Sequence, residues 1–228
     1  MKTRLSVVFI PALLCNARLY RDVIDDLGDD ISATVVLSPL PCLADSVDHI
    51  LSQAPDKFAL VGTSYGGNLA LAIALAAPER VTALWLMGCD PGAPAQSGGT
   101  ELAQRLDETP AAVFDFLSGL VVRKDDIDSA AVFRAMAESI GGPAGAAQAR
   151  AVRSRADVSG RLVELAMPVL VTWGEVDALA PVEVGRRMAD AIPNAQWHVI
   201  EDCGHLPTLE RPKQSAALFR AFLAKQVD

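Results

Sequence analysis

No apolar run in the 228-residue chain approaches about 18 residues, because Asp, Arg, Pro or Gly interrupts each one, and this argues against a membrane-spanning helix. There is no basic stripe either. The net charge of −8 is spread along the chain, and phosphate neutralisation needs clustered Lys and Arg, so nucleic acid is not an expected partner. Cysteine is sparse: Cys15, Cys42, Cys89 and Cys203 stand far apart and form no CxxC pair. Buried free thiols in a reducing, cytoplasmic compartment are the expected state. The three histidines never occur at ligand spacing with a Cys or carboxylate, so no metal is expected. No internal repeat occurs, and the only low-complexity tract is "GGPAGAA" at 141–147.

What is present is apolar residue, at 51%, with 21% charged, a balance that suits one sizeable globular domain. Such a domain buries roughly 70% of its unfolded surface and needs no staples. Short β-branched runs at Leu5 to Ile10, Thr34 to Leu37, Phe58 to Val61, Val81 to Met87, Val169 to Trp173 and Gln196 to Ile200 read as buried strands. Between them lie helical stripes: Leu19, Tyr20, Val23, Ile24 and Leu27, stopping at Gly28; Leu43, Val47, Ile50, Leu51 and Ala54; and Leu218, Phe219 and Phe222. Strand–helix repetition predicts a parallel sheet wound with helices on both faces.

The repetition pauses between Pro91 and about Ala166. This Ala-rich segment opens on a flexible "PGAPAQSGGT" and predicts helices near 100–107, 110–122, 129–140 and 144–157. The expected organisation is a core of residues 1–90 and 167–228 with a helical insertion at 91–166.

Chemistry concentrates in "ALVGTSYGGNLALAIALAAPERV", where Gly62-Thr63-Ser64-Tyr65-Gly66 stands between a buried strand and an Ala/Leu-rich helix. This is G-x-S-x-G in its required context: small residues two before and two after the serine let strand and helix approach closely. The N–H that follows the serine, that of Tyr65, then points where a tetrahedral oxyanion forms. A serine nucleophile needs a base. His49 falls on a helix and His198 within the last strand, whereas His205 in "EDCGHLPTLERP" follows that strand at the sheet edge where catalytic groups gather. A carboxylate must fix the imidazole tautomer. Asp177 in "VLVTWGEVDALAP" is the reading, Asp90 in "LMGCDPG" is its competitor, and Glu175 is a weaker third.

GTSYGG, WGEVDALAP and DCGHLPTLERP, in the order Ser…Asp…His, together resemble the α/β-hydrolase superfamily across nearly the whole chain. "QAPDKFALVGTSYGGNLALAIALAAPERV" is similar to the small carboxylesterase group that includes the pimeloyl-carrier-protein methyl esterase of biotin synthesis. The resemblance implies an α/β-hydrolase fold with about six mainly parallel strands, no antiparallel edge pair and a helical lid. It also bears on "LSVVFIPALLC", which after Lys2 and Arg4 has the outline of a cleaved leader. In the family this strand ends in His-Gly, and the next N–H is the second oxyanion donor. Here Pro11-Ala12 replaces that pair, so the resemblance assigns Leu13 N–H as donor, with Ala12 as the alternative. Removing the segment would delete a core strand and half of the oxyanion hole, so the expectation is that it is kept. Asn16 is expected to cap the first helix, and Cys15 to be a packed thiol.

The lid's apolar candidates are Phe114, Phe116, Leu117, Leu120, Val121, Phe133 and Met136, with "VVRKDDID" at 121–128 read as a solvated corner. Leu14, Phe114, Leu117 and Leu206 are the expected substrate contacts. Arg153 or Arg155 could read an anionic substrate tail.

The resulting expectation is a cofactor-free serine carboxylesterase, a monomer or homodimer, acting on a small ester. The serine at the elbow argues against dehalogenase and epoxide-hydrolase relatives, which use aspartate there. Three alternatives stay open: a carbon–carbon bond hydrolase of the meta-cleavage type, an acyltransferase, and a ligand receptor that keeps the triad but turns nothing over.

Overall fold

The structure is a computed structural model that describes residues 4–94 and 99–225, with the side chains of 99 and 100 left aside. Lys2 and the "AQSG" part of the expected flexible segment lie outside the described residues.

Six strands form one sheet: β1 (Leu5–Ile10), β2 (Ile31–Val35), β3 (Phe58–Thr63), β4 (Val81–Met87), β5 (Val169–Gly174) and β6 (Gln196–Ile200). Their order is β2-β1-β3-β4-β5-β6, and every pairing is parallel, as expected. Around them run α1 (Arg21–Leu27), α2 (Leu43–Gln53), α3 (Tyr65–Ala76), α8 (Val182–Ala191), the single turn α9 (Pro207–Glu210) and α10 (Pro212–Ala224). Among the described residues, four α-helices and a short 3-10 helix at Ser159–Glu164 occupy the span between β4 and β5: α4 (Gly99–Glu108), α5 (Pro110–Ser118), α6 (Ile127–Ile140) and α7 (Gly142–Arg153).

The central strands are apolar throughout because successive side chains feed two separate cores. Val7 and Phe9 of β1, Ala59 and Val61 of β3, and Trp85 and Met87 of β4 pack in one, with Val23 of α1 and Phe219 of α10. Val8 and Ile10, Phe58 and Leu60, and Leu84 and Leu86 pack in the other, with Ile50 of α2, Leu69 of α3 and Met188 of α8. Phe114, Leu117, Phe133 and Met136 of the inserted helices join the first core. Asn16 receives the Arg18 N–H at 3.0 Å and caps the short turn at Ala17–Leu19 that leads into α1. Gly28, at φ 57°, ends α1.

Strand β2 departs from its predicted span of 34–37. It is an outer strand that pairs only with β1. Ser32, Ala33 and Thr34 are exposed, so this strand needs no continuous apolar run, and the apolar pair that suggested it lies just beyond. Helix α5 also stops sooner than the predicted 122. Leu120 and Val121 both donate to Leu117 O, at 2.9 Å, closing a turn that sends the chain toward the end of β6.

The chain moves outward from β1 to β2 and then crosses back to β3, so the order reverses between β1 and β3. In an open parallel sheet the crevice at the carboxyl ends of such strands is where ligands bind. The segments that leave β1 and β3 are Pro11–Leu14 and the Ser64 turn.

Candidate active site

Ser64 occupies the turn from β3 to α3 at φ 56° and ψ −117°, a region that L-residues rarely adopt. Its N–H donates to Met87 O at 2.7 Å, which fastens the turn to the end of β4. The glycines two before and two after the serine leave no room for a side chain at either position. A Cβ on Gly62 would stand 2.3 Å from Gly66 O, and one on Gly66 would stand 2.0 Å from Ile10 O. Helix α3 therefore starts against the end of β1. The Tyr20 hydroxyl spans the same junction, donating to Ile10 O at 2.9 Å and meeting Thr63 Oγ1 at 2.8 Å.

His205 lies beyond β6 and is only 4% exposed. Its Nδ1 is 2.7 Å from Asp177 Oδ2, and the Asp177 side chain is 1% exposed. The other carboxylate oxygen, Oδ1, accepts the N–H groups of Leu179 and Ala180, both at 2.9 Å. Asp177 is thus held on both oxygens. Its competitors point elsewhere: Asp90 Oδ1 accepts the Gly92 N–H at 2.9 Å, and Glu175 Oε2 accepts the Asp202 N–H at 3.0 Å. His49 is half-buried and pairs with Gln53, while His198 stays within β6, where partial burial lowers its pKa and the Lys225 charge adds to the effect.

A cavity of about 350 Å³ opens at this end of the sheet. Ser64, Tyr65, Ala12, Leu13, His205 and Gly88 border it on the sheet side. Leu117, Val121 and Phe133 border it from the inserted helices, and Leu206 from the His205 loop. Leu13 and Leu14 are the middle residues of a turn closed by Cys15 N–H to Ala12 O at 3.0 Å. Among the described residues, neither Ala12 N–H nor Leu13 N–H has a hydrogen-bond acceptor.

Leu14 and Phe114, expected to touch substrate, do not border the cavity. Leu14 adopts φ 62°, and its side chain packs beneath α7, where a Cβ on Gly145 would come within 2.4 Å of Leu14 Cδ2. Phe114 is buried in the first core. The corner at 121–128 is likewise not fully solvated. Val121 and Val122 are buried, and Val121 O accepts the His205 N–H at 3.1 Å.

Sequence reading missed two polar groups that hold the site. Gln148 of α7 is 2% exposed, and its Oε1 accepts the Leu14 N–H at 2.9 Å, pinning the turn that carries Leu13. Glu210 Oε2 accepts the N–H groups of Arg123 at 2.7 Å and Gly204 at 2.9 Å, and Oε1 accepts that of Leu206 at 3.1 Å. Glu210 therefore grips the backbone on both sides of His205. Burial raises its carboxyl pKa, outweighing the three donors that act to lower it. The one available signal for Gln148 was a lone polar residue on an otherwise small, apolar helix face. For Glu210 it was a carboxylate five residues beyond the histidine.

Three of the four thiols are quiet. Burial raises Cys15 and Cys203, and pushes Cys89, which borders the cavity, up to about 12. No group of three His, Cys, Asp or Glu among the described residues could hold a metal ion, and no helix among them is long and apolar enough to cross a membrane.

A six-stranded parallel sheet flanked by helices, with a serine on a strained strand-to-helix turn, defines an α/β hydrolase. A family model described as alpha/beta hydrolase fold matches residues 42–212, about three quarters of the chain, and the chain belongs to that family. Among curated relatives, it is 31% identical over 195 residues to a 2-hydroxy-6-oxononadienedioate/2-hydroxy-6-oxononatrienedioate hydrolase of Paraburkholderia xenovorans (strain LB400), an alignment covering 74% of this chain and 63% of the relative. The chain spans about three fifths of the length of the first such relatives. Among solved structures, it is similar to a thermophilic esterase from Thermogutta terrifontis, with a TM-score of 0.85, 24% identity, and 98% and 91% of the two chains covered. It also resembles the enol-lactonase from Burkholderia xenovorans LB400, with a TM-score of 0.88, 17% identity, and 97% and 92% covered. These two likenesses speak for the fold.

Proposed function

We propose that the protein is a serine hydrolase that cleaves small to medium carboxylic esters through Ser64, His205 and Asp177. One observation carries the reading: Ser64 and His205 border one cavity, with His205 Nδ1 held 2.7 Å from a buried Asp177 carboxylate. In this reading His205 Nδ1–H donates to Asp177, which leaves Nε2 free to take the Ser64 proton. Ser64 Oγ attacks the carbonyl carbon, and the developing oxyanion is received by the N–H groups of Tyr65 and Leu13. One such donor contributes about 3–4 kcal/mol to lowering the barrier. His205 returns the proton to the departing alcohol. Water, activated by the same imidazole, then clears the acyl-enzyme.

The helices α4 to α7 act as the lid, and Leu117, Phe133 and Leu206 supply apolar contact to the acyl chain. No cofactor is required. Four free cysteines favour a reducing, cytoplasmic setting. The likeness to the pimeloyl-carrier-protein methyl esterase group supports an ester as substrate.

A second reading is favoured by the relative's name: a hydrolase of a carbon–carbon bond in a vinylogous diketone, run by the same three residues. The test compares p-nitrophenyl esters from acetate to laurate with a dienol diketone, wild type beside Ser64→Ala. Ester turnover that peaks at one chain length and vanishes in Ser64→Ala supports the first reading. Diketone cleavage without ester turnover supports the second. Turnover that survives in Ser64→Ala overturns both.

A further inference from the structure

The two proposed oxyanion donors come from different segments of the chain. Leu13 N–H lies shortly beyond Ile10, the last residue of β1, and Tyr65 N–H shortly beyond Thr63, the last of β3. Their separation is decided where these strands end, and there the backbone gives little help. The register of β1 with β3 stops at Ile10 and Gly62, and the Ser64 N–H turns away to Met87 O on β4. Among the described residues no backbone hydrogen bond joins 11–14 to 64–66. Contact sets one limit only. A Cβ on Gly66 would stand 2.0 Å from Ile10 O and 2.6 Å from Pro11 O, so the bare glycine determines how near the two ends come. It does not stop them from moving apart.

We propose, resting on the hydrolase reading above, that Tyr20 is a positioning residue for the oxyanion hole: its hydroxyl ties the ends of β1 and β3 together and so sets the spacing of the Leu13 and Tyr65 N–H groups. The hydroxyl donates to Ile10 O at 2.9 Å and lies 2.8 Å from Thr63 Oγ1. With its own proton given to Ile10 O, it accepts that of Thr63. The two bonds form a chain from the residue before the nucleophile to the last carbonyl of β1, and in a dry interior the members of such a chain polarise one another. Tyr20 and Thr63 are both 0% exposed, so water offers neither a substitute partner. The other acceptor near Thr63 Oγ1 is Met87 Sδ, a weak one at 3.9 Å. Burial raises the pKa of the phenol, which keeps its proton for Ile10 O.

The tyrosine is itself held. It stands immediately before α1, where its O accepts the Ile24 N–H at 2.8 Å and its N–H donates to Ala17 O at 3.2 Å. Its ring packs 5.0 Å from that of Phe9. The hydroxyl therefore acts from a fixed point. Apolar burial alone would be served as well by phenylalanine, whereas a phenol in a core needs partners for its hydroxyl. Here both partners belong to the strand ends that carry the oxyanion donors.

The experiment separates spacing from stability. Wild type, Tyr20→Phe and Thr63→Val are compared on one p-nitrophenyl ester, well below their melting temperatures, and in binding an aryl trifluoromethyl ketone followed by fluorine NMR. Ser64 Oγ adds to the ketone carbon, its proton passes to His205, and the carbonyl π pair becomes the oxyanion that the two N–H groups receive. In both variants kcat is expected to fall at least about fivefold with KM changed by less than about twofold, and ketone affinity to fall by the same factor as kcat. The double variant is expected to be no worse than the poorer single one, because both changes cut one chain. Thr63→Ser, which keeps the hydroxyl, is expected to match wild type. Should Tyr20→Phe not fold, Thr63→Val and Thr63→Ser decide alone. Variants with wild-type kcat, a lower kcat with undiminished ketone affinity, losses that add in the double variant, or no recovery in Thr63→Ser overturn the proposal. A wild type that neither turns over ester nor forms the ketone adduct overturns the hydrolase reading and this proposal with it. A wild type that forms the adduct, beside variants that form it equally well, overturns this proposal alone.

Discussion

His205 and Val121 are joined main chain to main chain: the histidine N–H donates to Val121 O at 3.1 Å. The bond crosses from the sheet domain to the inserted helices. Two residues on, Arg123 N–H reaches Glu210, which also holds the N–H groups flanking His205. At Gly204 the two segments are so close that a Cβ would fall 2.5 Å from Arg123 N. The proposed lid is thus built onto the histidine loop at this end, and it is tied to the Leu13 turn at the other through Gln148.

Replacing Ser64 separates chemistry from strain. Ser64→Ala is expected to lower kcat by at least about a thousandfold with the melting temperature little changed. Ser64→Gly is equally inactive but more stable than Ser64→Ala by about 1 kcal/mol, because φ 56° with ψ −117° costs an L-residue more than glycine loses in chain entropy. Urea midpoints of the two variants decide it, and an equal pair would show that the turn stores no strain.

Gly88→Ala addresses the imidazole without touching it chemically. Gly88 sits at φ +59°, and a Cβ there would meet His205 Cε1 at 2.8 Å. The expected result is a folded protein with kcat reduced about 10- to 100-fold and KM little altered, since a displacement near 1 Å at a reacting group has this order of effect. Steady-state kinetics on one ester checks the split.

Gln148→Leu keeps the volume and removes the acceptor for Leu14 N–H. A buried donor left alone costs about 1–3 kcal/mol, read from chemical denaturation. Because that N–H lies one residue from the proposed oxyanion donor, kcat should fall as well. Gln148→Glu, which restores an acceptor, is expected to recover part of both.

Glu210 gives a pH dependence whose sign is fixed. Burial holds its carboxyl above the ordinary value, so the folded protein keeps this proton to a higher pH than the unfolded chain does. Its contribution to stability is therefore complete below the ordinary carboxyl range and declines as pH rises through the folded-state value. Wild type should lose stability relative to Glu210→Gln as pH rises above the ordinary carboxyl value of about 4. Parallel urea curves at each pH test this, and a difference that stays constant would refute it.

Thiol labelling orders the cysteines. Burial holds Cys15, Cys89 and Cys203 in the unreactive thiol form, with Cys89 at about 12, while Cys42 is only partly buried. Iodoacetamide on native protein at about pH 8 should modify Cys42 first, as peptide mapping would reveal. Early labelling of Cys89 would mean that the cavity wall opens.

The sequence made the strands legible where the run is continuously apolar: β1 and β4 begin and end at the predicted residues, and the fully buried β3 and β5 begin at them. Outer β2 was misplaced because its exposed Ser32, Ala33 and Thr34 carry no apolar signal. Ser64 was legible because a strained turn demands small neighbours, and His205 because only three histidines compete. Gln148 and Glu210 were not. Their work is done on backbone N–H groups distant in the chain, and a backbone donor leaves no mark in the sequence it belongs to. Leu14 misled for a related reason: φ 62° turns its side chain away from the crevice, and nothing in "PALLC" announces that angle.

The placement of α4 to α7 between β4 and β5 also bears on how the chain assembles. Strands β5 and β6 meet across a connection of roughly 20 residues, and β4 and β5 across one of roughly 80. Two doublings of loop length add only about 1.2 kcal/mol of closure entropy, so an insertion of this size barely taxes the finished fold. Its effect falls on the rate. Strands β1 to β4 have the nearer partners, so the docking of β5 on β4, which brings Asp177 and His205 to the serine, is expected to be the slow step.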